Sequence, residues 1–155
     1  MGEAKKKSIV ALNEAGKGDR QALELFEEEL CSDVIEVRGR RVKVDLGDFA
    51  HIQKAIDGGT RIRRIRYIRE TLYNPEEIRE SVSPSRKGKT STEVYLNTIF
   101  ASKEDQEGEL CKVVVEPSFD FSTFERYYRF KTFYLPDEET WKRNRKGRRI
   151  WSQSD

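Results

Sequence analysis

The residues best suited to chemistry in this sequence are its single histidine, His51, and a Thr-x-Tyr pattern near the C-terminal end, Thr132 and Tyr134. Histidine titrates near neutral pH and can serve as a general base or a general acid. RNA can be cleaved without a metal, because the ribose 2′-OH supplies the nucleophile and the protein needs only a base, an acid and a cation. A lone histidine is more often structural or simply exposed, and threonine and tyrosine are common in strands, so these residue types alone leave catalysis open.

Other chemistries find less support in the sequence. The segment Gly88 to Thr90 resembles the end of a phosphate loop, but Ser83 stands where the first glycine of such a loop is needed. One histidine provides no pair of histidine ligands, and the acidic residues form no recognisable metal cluster. Cys31 and Cys111 lie far apart and fit neither a zinc spacing nor a disulfide framework. We therefore expect reduced thiols, no metal and no cofactor.

The charges of this chain are balanced overall but segregated along it. The 155 residues include 30 Lys and Arg and 28 Asp and Glu, for a net charge of +2. Base collects in RIRRIRYIR, SRKGK and KRNRKGRR, which indicates an anionic partner such as nucleic acid, although solvated helix faces and a disordered tail give the same pattern. No apolar run reaches the length of a membrane span or a signal-peptide core, so we expect a cytoplasmic protein without a membrane partner.

Periodicity predicts helices in the first half of the chain and strands in the second. The predicted helices are RQALELFEEEL, LGDFAHIQKAIDGG, TRIRRIRYIRETLY and a short one that starts at NPEEI. A hairpin turning at Arg38-Gly39 follows the first helix, and SVSPSRKGKTST is predicted to be a loop. The predicted late strands are EVYLNTIFA, KVVVEP and RYYRFKTFYL. This order favours an α+β domain with an antiparallel sheet.

Strict alternation along the last strand places Tyr128, Phe130, Thr132 and Tyr134 on one face. The remaining segment, WKRNRKGRRIWSQSD, has no clear period and is left unassigned.

Five segments carry a family resemblance, which depends on their order rather than on any single motif. They are HIQKAIDGG, RIRYIRETLYNPEEIRES, TEVYLNTI, KVVVEP and FKTFYLPD. Together they resemble the phage-associated branch of the barnase, EndoU, colicin and RelE-type (BECR) nuclease superfamily. The resemblance implies a barnase- or RelE-like α+β fold, with N-terminal helices packed on a four-stranded antiparallel sheet whose exposed face holds the active site.

The same resemblance implies roles for particular residues. The catalytic set that it implies is His51, Arg86, Tyr95, Thr132 and Tyr134, with Lys87, Lys89 and Arg129 as alternatives to Arg86 for the basic residue. The RNA-binding set is Arg63, Arg66, Lys87, Lys89, Arg129 and Lys131. The chain departs from the pattern at Glu93 and Val94, because a basic residue is expected directly before the strand tyrosine.

The predicted function is that of a metal-independent endoribonuclease, phage-associated or a toxin, with tRNA among its candidate substrates. RNA is the predicted partner, together with an antitoxin or immunity protein. The alternative is a non-catalytic module of the same fold that binds RNA, or binds a protein through the acidic helix LELFEEEL. We expect an N-terminal helical segment over 1–33, the nuclease domain over 34–140 and a basic tail over 141–155.

Overall fold

A single curled sheet dominates the computed structural model, which describes residues 8–12, 20–54, 58–85, 88–144 and 148–153. Its eight strands within these ranges are β1 Ser8–Ile9, β2 Ile35–Val37, β3 Arg40–Lys43, β4 Glu77–Ser85, β5 Gly88–Phe100, β6 Glu109–Asp120, β7 Glu125–Tyr134 and β8 Arg148–Ser152. The strand order is β2-β3-β7-β6-β5-β4-β8, and β1 adds to β5 off this path. The β3–β7 and β1–β5 pairs are parallel and the other pairs are antiparallel, so the sheet is mixed.

Short helices cover parts of this sheet. They are α1 Arg20–Phe26, α2 Asp48–Lys54, α3 Gly58–Arg61, α4 Ile65–Tyr73 and α5 Glu138–Asn144. A π-helix over Glu27–Cys31 continues α1, and a 3₁₀ turn over Ile62–Arg64 precedes α4. No helix in the described ranges is long and apolar enough to cross a membrane.

The two faces of the sheet carry different cores. The inner face packs against α1, α2 and α4, and its buried side chains include Ile78, Tyr95, Val113 and Phe133. Apolar residues at helical spacing on these helices complete that core, as Phe26 and Leu30 show at the end of α1. The outer face carries a small cluster of Val94, Leu96 and Val114, which Trp141 of α5 covers. The outer face of β7 lies beside this cluster.

Arg38 of the β2–β3 hairpin connects the two ends of the curled, half-barrel sheet. Arg38 donates hydrogen bonds to the backbone carbonyls of Leu72 and Tyr73, at 2.9 and 2.6 Å, and its guanidinium lies 4.5 Å from the ring centre of Trp151 in β8. These contacts connect one end of the sheet to the C-terminal end of α4 and to the other end of the sheet. Arg38 and Gly39 both have positive φ, 50° and 73°, as a tight two-residue turn of type I′ requires.

The predicted fold class, helices packed on a four-stranded antiparallel sheet, is wrong. The structure is mostly sheet, with eight strands in the described ranges and two parallel pairings. NPEEI and SVSPSRKGKTST, predicted to be a helix start and a loop, instead enter a long β4–β5 hairpin whose register runs from Glu77↔Leu96 to Ser85↔Gly88. The capping signature at Asn74 is a local signal, and a ladder of this length overrides it because pairing and burial outweigh propensity.

The last long strand contains a β-bulge that changes which side chains share a face. Val114 pairs with Thr132 and the next residue, Val115, pairs with Phe130, so Lys131 is the extra residue of β7. Thr132 and Tyr134 do share a face, as predicted. Strict alternation was wrong for Tyr128 and Phe130, which lie on the inner face, and the bulge brings Arg129 to the outer face with Thr132 and Tyr134.

Candidate active site

Helix α2 places the single histidine beside the strand that carries Thr132 and Tyr134. β3 pairs with β7 only at Tyr128 and Arg129, and α2 also lies against β7. The helix is anchored by Phe49 and Ile52, which are buried in the inner core, while His51 remains exposed. Burial of the two apolar residues therefore fixes the helix and leaves the imidazole accessible.

A buried carboxylate, that of Asp48, lies on the same helix as His51. Asp48, one helical turn before His51, is 6% exposed and accepts a hydrogen bond from the backbone N–H of Asp45 at 3.1 Å. Burial raises the pKa of the Asp48 carboxyl, and the positive charges of Arg129 and His51 act against that shift. The carboxylate thus lies within electrostatic range of both groups, so α2 and β7 bring an imidazole and a guanidinium to the same region.

Two more cations flank Tyr134 on the outer face. The guanidinium of Arg61 in α3 lies 4.8 Å from the ring centre of Tyr134, and the ammonium of Lys112 in β6 lies 5.3 Å from it. Burial lowers the pKa of Lys112. A cleft of about 420 Å³ opens here, and its lining also includes Asp137 and Thr140. Such a cleft, with two cations at a phenol, is suited to an anionic group.

Thr132 lies between these two groups of residues on the outer face of β7. It follows the bulge at Lys131, pairs with Val114 and is partly exposed. The outer-face order along the strand is therefore Arg129, Thr132 and Tyr134. We call the whole set the β7 site: Asp48, His51, Arg61, Lys112, Arg129, Thr132 and Tyr134.

The β7 site contains the groups that phosphodiester chemistry needs. The imidazole can exchange a proton, the guanidinium and ammonium groups can stabilise negative charge on phosphate oxygens, and the threonine hydroxyl can donate a hydrogen bond to one of them. In the described part of the chain, no group of three or more His, Cys, Asp or Glu side chains is arranged to hold a metal ion.

A second polar cluster lies on the opposite, inner face. Arg40 Nε lies 2.7 Å from a carboxylate oxygen of Glu93, and the two side chains are 27% and 10% exposed. Tyr95 and Tyr128 complete this inner cluster, and Arg38 lies near it. Since Arg40 belongs to β3 and Glu93 to β5, their ion pair spans two intervening strands and helps to hold the curl.

Tyr95 is separated from Thr132 and Tyr134 by the sheet itself. Its side chain is fully buried on the inner face, and its hydroxyl has no hydrogen-bond partner in the described ranges. Burial raises the pKa of this phenol, and the negative charge of Glu93 adds to the shift. The structure therefore groups Tyr95 with Arg40 and Glu93, and does not bring it together with Thr132 and Tyr134.

Comparison with known proteins places the chain in a family. The model of the family described as phage-Barnase-EndoU-ColicinE5/D-RelE like nuclease 2 (PBECR2) matches residues 11–152. The chain belongs to the PBECR2 family. No curated protein and no solved structure matches it. Membership confirms the resemblance found in the sequence and establishes a nuclease domain of a phage-associated family.

The remaining predicted residues of this PBECR2 domain are dispersed. Arg63 is exposed in the 3₁₀ turn, the guanidinium of Arg66 lies 3.8 Å from Glu29, and the ammonium of Lys131 lies 3.4 Å from Glu116. Arg86 and Lys87, and the side chain of Lys89, lie outside what the structure describes. Their roles stay predictions.

Sequence reasoning missed Arg61 and Lys112 in the β7 site of this PBECR2 domain, and it did not assign a role to Asp48. Arg61 precedes a run of arginines that looks like a solvated helix face, and Lys112 reaches Tyr134 only through the β6–β7 register. Asp48 gives a weak signal, because an acidic residue three positions before a histidine lies next to it on a helix.

Proposed function

We propose that this chain is a metal-independent endoribonuclease that cleaves RNA at the β7 site through attack of the ribose 2′-OH. Membership of a nuclease family supports the general activity. The observation that carries the proposal is that helix α2, on which His51 is exposed, lies against β7, whose outer face carries Arg129 and Thr132. This arrangement supplies a proton acceptor, a cation and a hydroxyl without requiring any further group.

In the proposed reaction, His51 accepts the proton of the 2′-OH as the 2′-oxygen attacks the adjacent phosphorus. The new O2′–P bond forms and the P–O5′ bond breaks, which leaves a 2′,3′-cyclic phosphate on one product. Tyr134 donates a proton to the departing 5′-oxygen, and the cations of Arg61 and Lys112 beside its ring stabilise the resulting phenolate. Each such proton transfer contributes about 10²–10⁴ in rate.

Arg129 and Thr132 act on the phosphate in this proposal. The pentacoordinate transition state carries extra negative charge on its non-bridging oxygens, and a guanidinium with a fixed fork of donors stabilises that charge. The Thr132 hydroxyl donates a hydrogen bond to one of the same oxygens. Asp48 positions the imidazole and the guanidinium, because its buried carboxylate attracts both.

The test is incubation of the purified protein with total tRNA and with a generic single-stranded RNA in excess EDTA, followed by analysis of product ends. We expect 2′,3′-cyclic phosphate ends and no cleavage of the matching DNA, which lacks the 2′-OH. His51→Ala and Thr132→Ala should each lower the cleavage rate about 10²-fold or more with little change in RNA affinity. The matched control is Gln53→Ala, an exposed position on the same helix.

Two results would contradict the proposal. Cleavage that stops in EDTA and returns with a divalent metal would refute the metal-independent mechanism. RNA that is bound but remains intact would favour the alternative of a non-catalytic binding module.

A further inference from the structure

Three phenylalanines form an exposed cluster at the tip of the β6–β7 hairpin. Phe121 and Phe124 are 81% and 80% exposed, the highest values for large apolar side chains in the described ranges, and Phe119 is 38% exposed. The ring of Phe119 makes edge contacts with both, at centroid distances of 5.0 and 6.3 Å. Edge contacts leave the ring faces of Phe121 and Phe124 accessible to another flat molecule. The three residues are called the Phe tip below.

The turn that displays the Phe tip is ordered but does not suit phenylalanine. The side chain of Asp120 accepts hydrogen bonds from the backbone N–H and the hydroxyl of Ser122, at 2.9 and 2.6 Å, which fixes the first half of the turn. Phe124 has a φ of 55°, in the left-handed region where glycine, asparagine and aspartate are favoured and a bulky residue is strained. Folding alone would therefore favour another residue at this position, so the aromatic ring is better explained by contact with a ligand.

The charges around the Phe tip are compatible with a polyanion. The two carboxylates at the base of the hairpin are each paired with a cation, Asp120 with Lys43 at 3.8 Å and Glu125 with Arg41. Lys43 also lies 4.5 Å from the ring centre of Tyr127. Arg126, the register partner of Phe119, is exposed. The acidic groups near the rings are thus largely neutralised, and an exposed guanidinium lies beside them.

The Phe tip lies just before the strand that carries the β7 site. Phe119 and its register partner Arg126 lie on the inner face of the sheet, while Tyr127 lies on the outer face, between Phe124 and Arg129 in the sequence. Arg129 follows Phe124 by five positions, which is about 17 Å at 3.3–3.4 Å per residue. A single RNA strand can span that distance with a few nucleotides, within the 4–16 nucleotides that grooves for single strands accommodate.

We propose that the Phe tip stacks unpaired bases of an RNA strand whose scissile phosphate lies at the β7 site. The inference rests on the proposed function and makes single-stranded RNA the substrate class, because bases within a duplex present no free face to the rings. Stacking tolerates any base, so the tip would bind and position the strand without reading its sequence.

The test compares binding of two labelled probes by wild type and by the double variant Phe121→Ala/Phe124→Gly. The probes are a 2′-O-methyl RNA strand of about twelve nucleotides, which fits the expected site size and lacks the nucleophile, and the same strand in a duplex. We expect the dissociation constant for the single strand to rise at least about fivefold, which is the loss of one weak stack. Affinity for the duplex should not change. The matched control is Leu46→Ala, an exposed apolar residue in the turn before α2.

Cleavage kinetics and melting separate this inference from a folding defect and from the proposed function. The double variant should raise KM for single-stranded RNA with little change in kcat, and Phe124→Gly alone should melt at or above the wild-type temperature because it relieves the positive φ. If wild type cleaves RNA and the double variant keeps the wild-type affinity and KM, the stacking role of the Phe tip is refuted and the proposed function stands. A wild-type protein that does not bind the single strand would also refute the stacking role. If binding depends on the Phe tip but the protein does not cleave RNA, the stacking role is supported and the proposed function is refuted.

Discussion

Arg129 is the cation on β7 whose charge acts on the carboxylate of Asp48. It is exposed on the outer face of β7, and its charge acts on the buried carboxylate of Asp48 on the neighbouring helix. A guanidinium in this position can meet a phosphate with two parallel hydrogen bonds, which a lysine ammonium cannot do. The charge of Arg129 and the planar shape of its guanidinium therefore make separable contributions to phosphate binding.

Substitution of Arg129 should show both contributions. We expect Arg129→Ala to lower kcat/KM for RNA about 10²-fold or more and to reduce the slope of log affinity against log salt by about one. Arg129→Lys should restore the salt slope but only part of the rate, because the ammonium lacks the fork of donors. Arg20→Ala, which removes the same charge from an exposed position on α1, is the control and should change neither. Equal effects of Arg129→Ala and Arg20→Ala would mean that Arg129 supplies only general charge.

At the scale of secondary-structure elements, Arg38 connects the β2–β3 hairpin to α4 and β8. Its guanidinium supplies hydrogen bonds to two carbonyls at the end of α4, which have no partner within the helix, and it stacks on Trp151. We expect Arg38→Ala to lower the free energy of unfolding by about 2–3 kcal/mol, from the lost charged hydrogen bonds and the cation–π contact. Urea denaturation gives this value, and Arg20→Ala is again the control. A change no larger than the control's would show that these contacts do not hold the half-barrel closed.

Some elements of this fold can be predicted from the sequence alone, and others cannot. The α1, α2 and α4 helices, the β2–β3 hairpin and the β5, β6 and β7 strands follow from apolar spacing and turn residues. β4 was predicted as a helix start and a loop, and the segment of β8 was left unassigned. Glu77–Ser85 and Arg148–Ser152 are rich in polar residues and form strands only through cross-strand pairing with β5 and with each other. The bulge at Lys131 has the same origin, since it is a property of the β6–β7 register.

For the same reason, only part of the candidate site could be predicted from the sequence. His51, Thr132 and Tyr134 were predicted from residue type and family resemblance; the structure places Thr132 and Tyr134 on one face of β7 and His51 on α2, which lies against that strand. Tyr95 was predicted with them, but the pleat of β5 directs it to the inner face with Glu93. Arg61 and Lys112 reach Tyr134 only through the positions of α3 and β6, which local patterns do not encode.

At the scale of the whole molecule, the curled sheet separates two polar clusters by face. The inner cluster around Arg40 and Glu93 is largely buried and pairs strands across the half-barrel. Arg129, Thr132 and Tyr134 of the β7 site lie on the outer face, and His51 is exposed on the neighbouring helix α2. We propose that the β7 site carries the chemistry and that the inner cluster maintains the shape.

The single-turnover cleavage rate of saturating single-stranded RNA in EDTA, measured for wild type, His51→Ala and Glu93→Gln, tests this division of roles. The folded fraction of each variant is measured by circular dichroism at the assay temperature. We expect His51→Ala to lower the rate about 10²-fold or more. Glu93→Gln should keep the wild-type rate per folded molecule and melt at a lower temperature, because Arg40 loses its buried partner. A folded but inactive Glu93→Gln protein, together with an active His51→Ala protein, would contradict the account and place catalysis on the inner face.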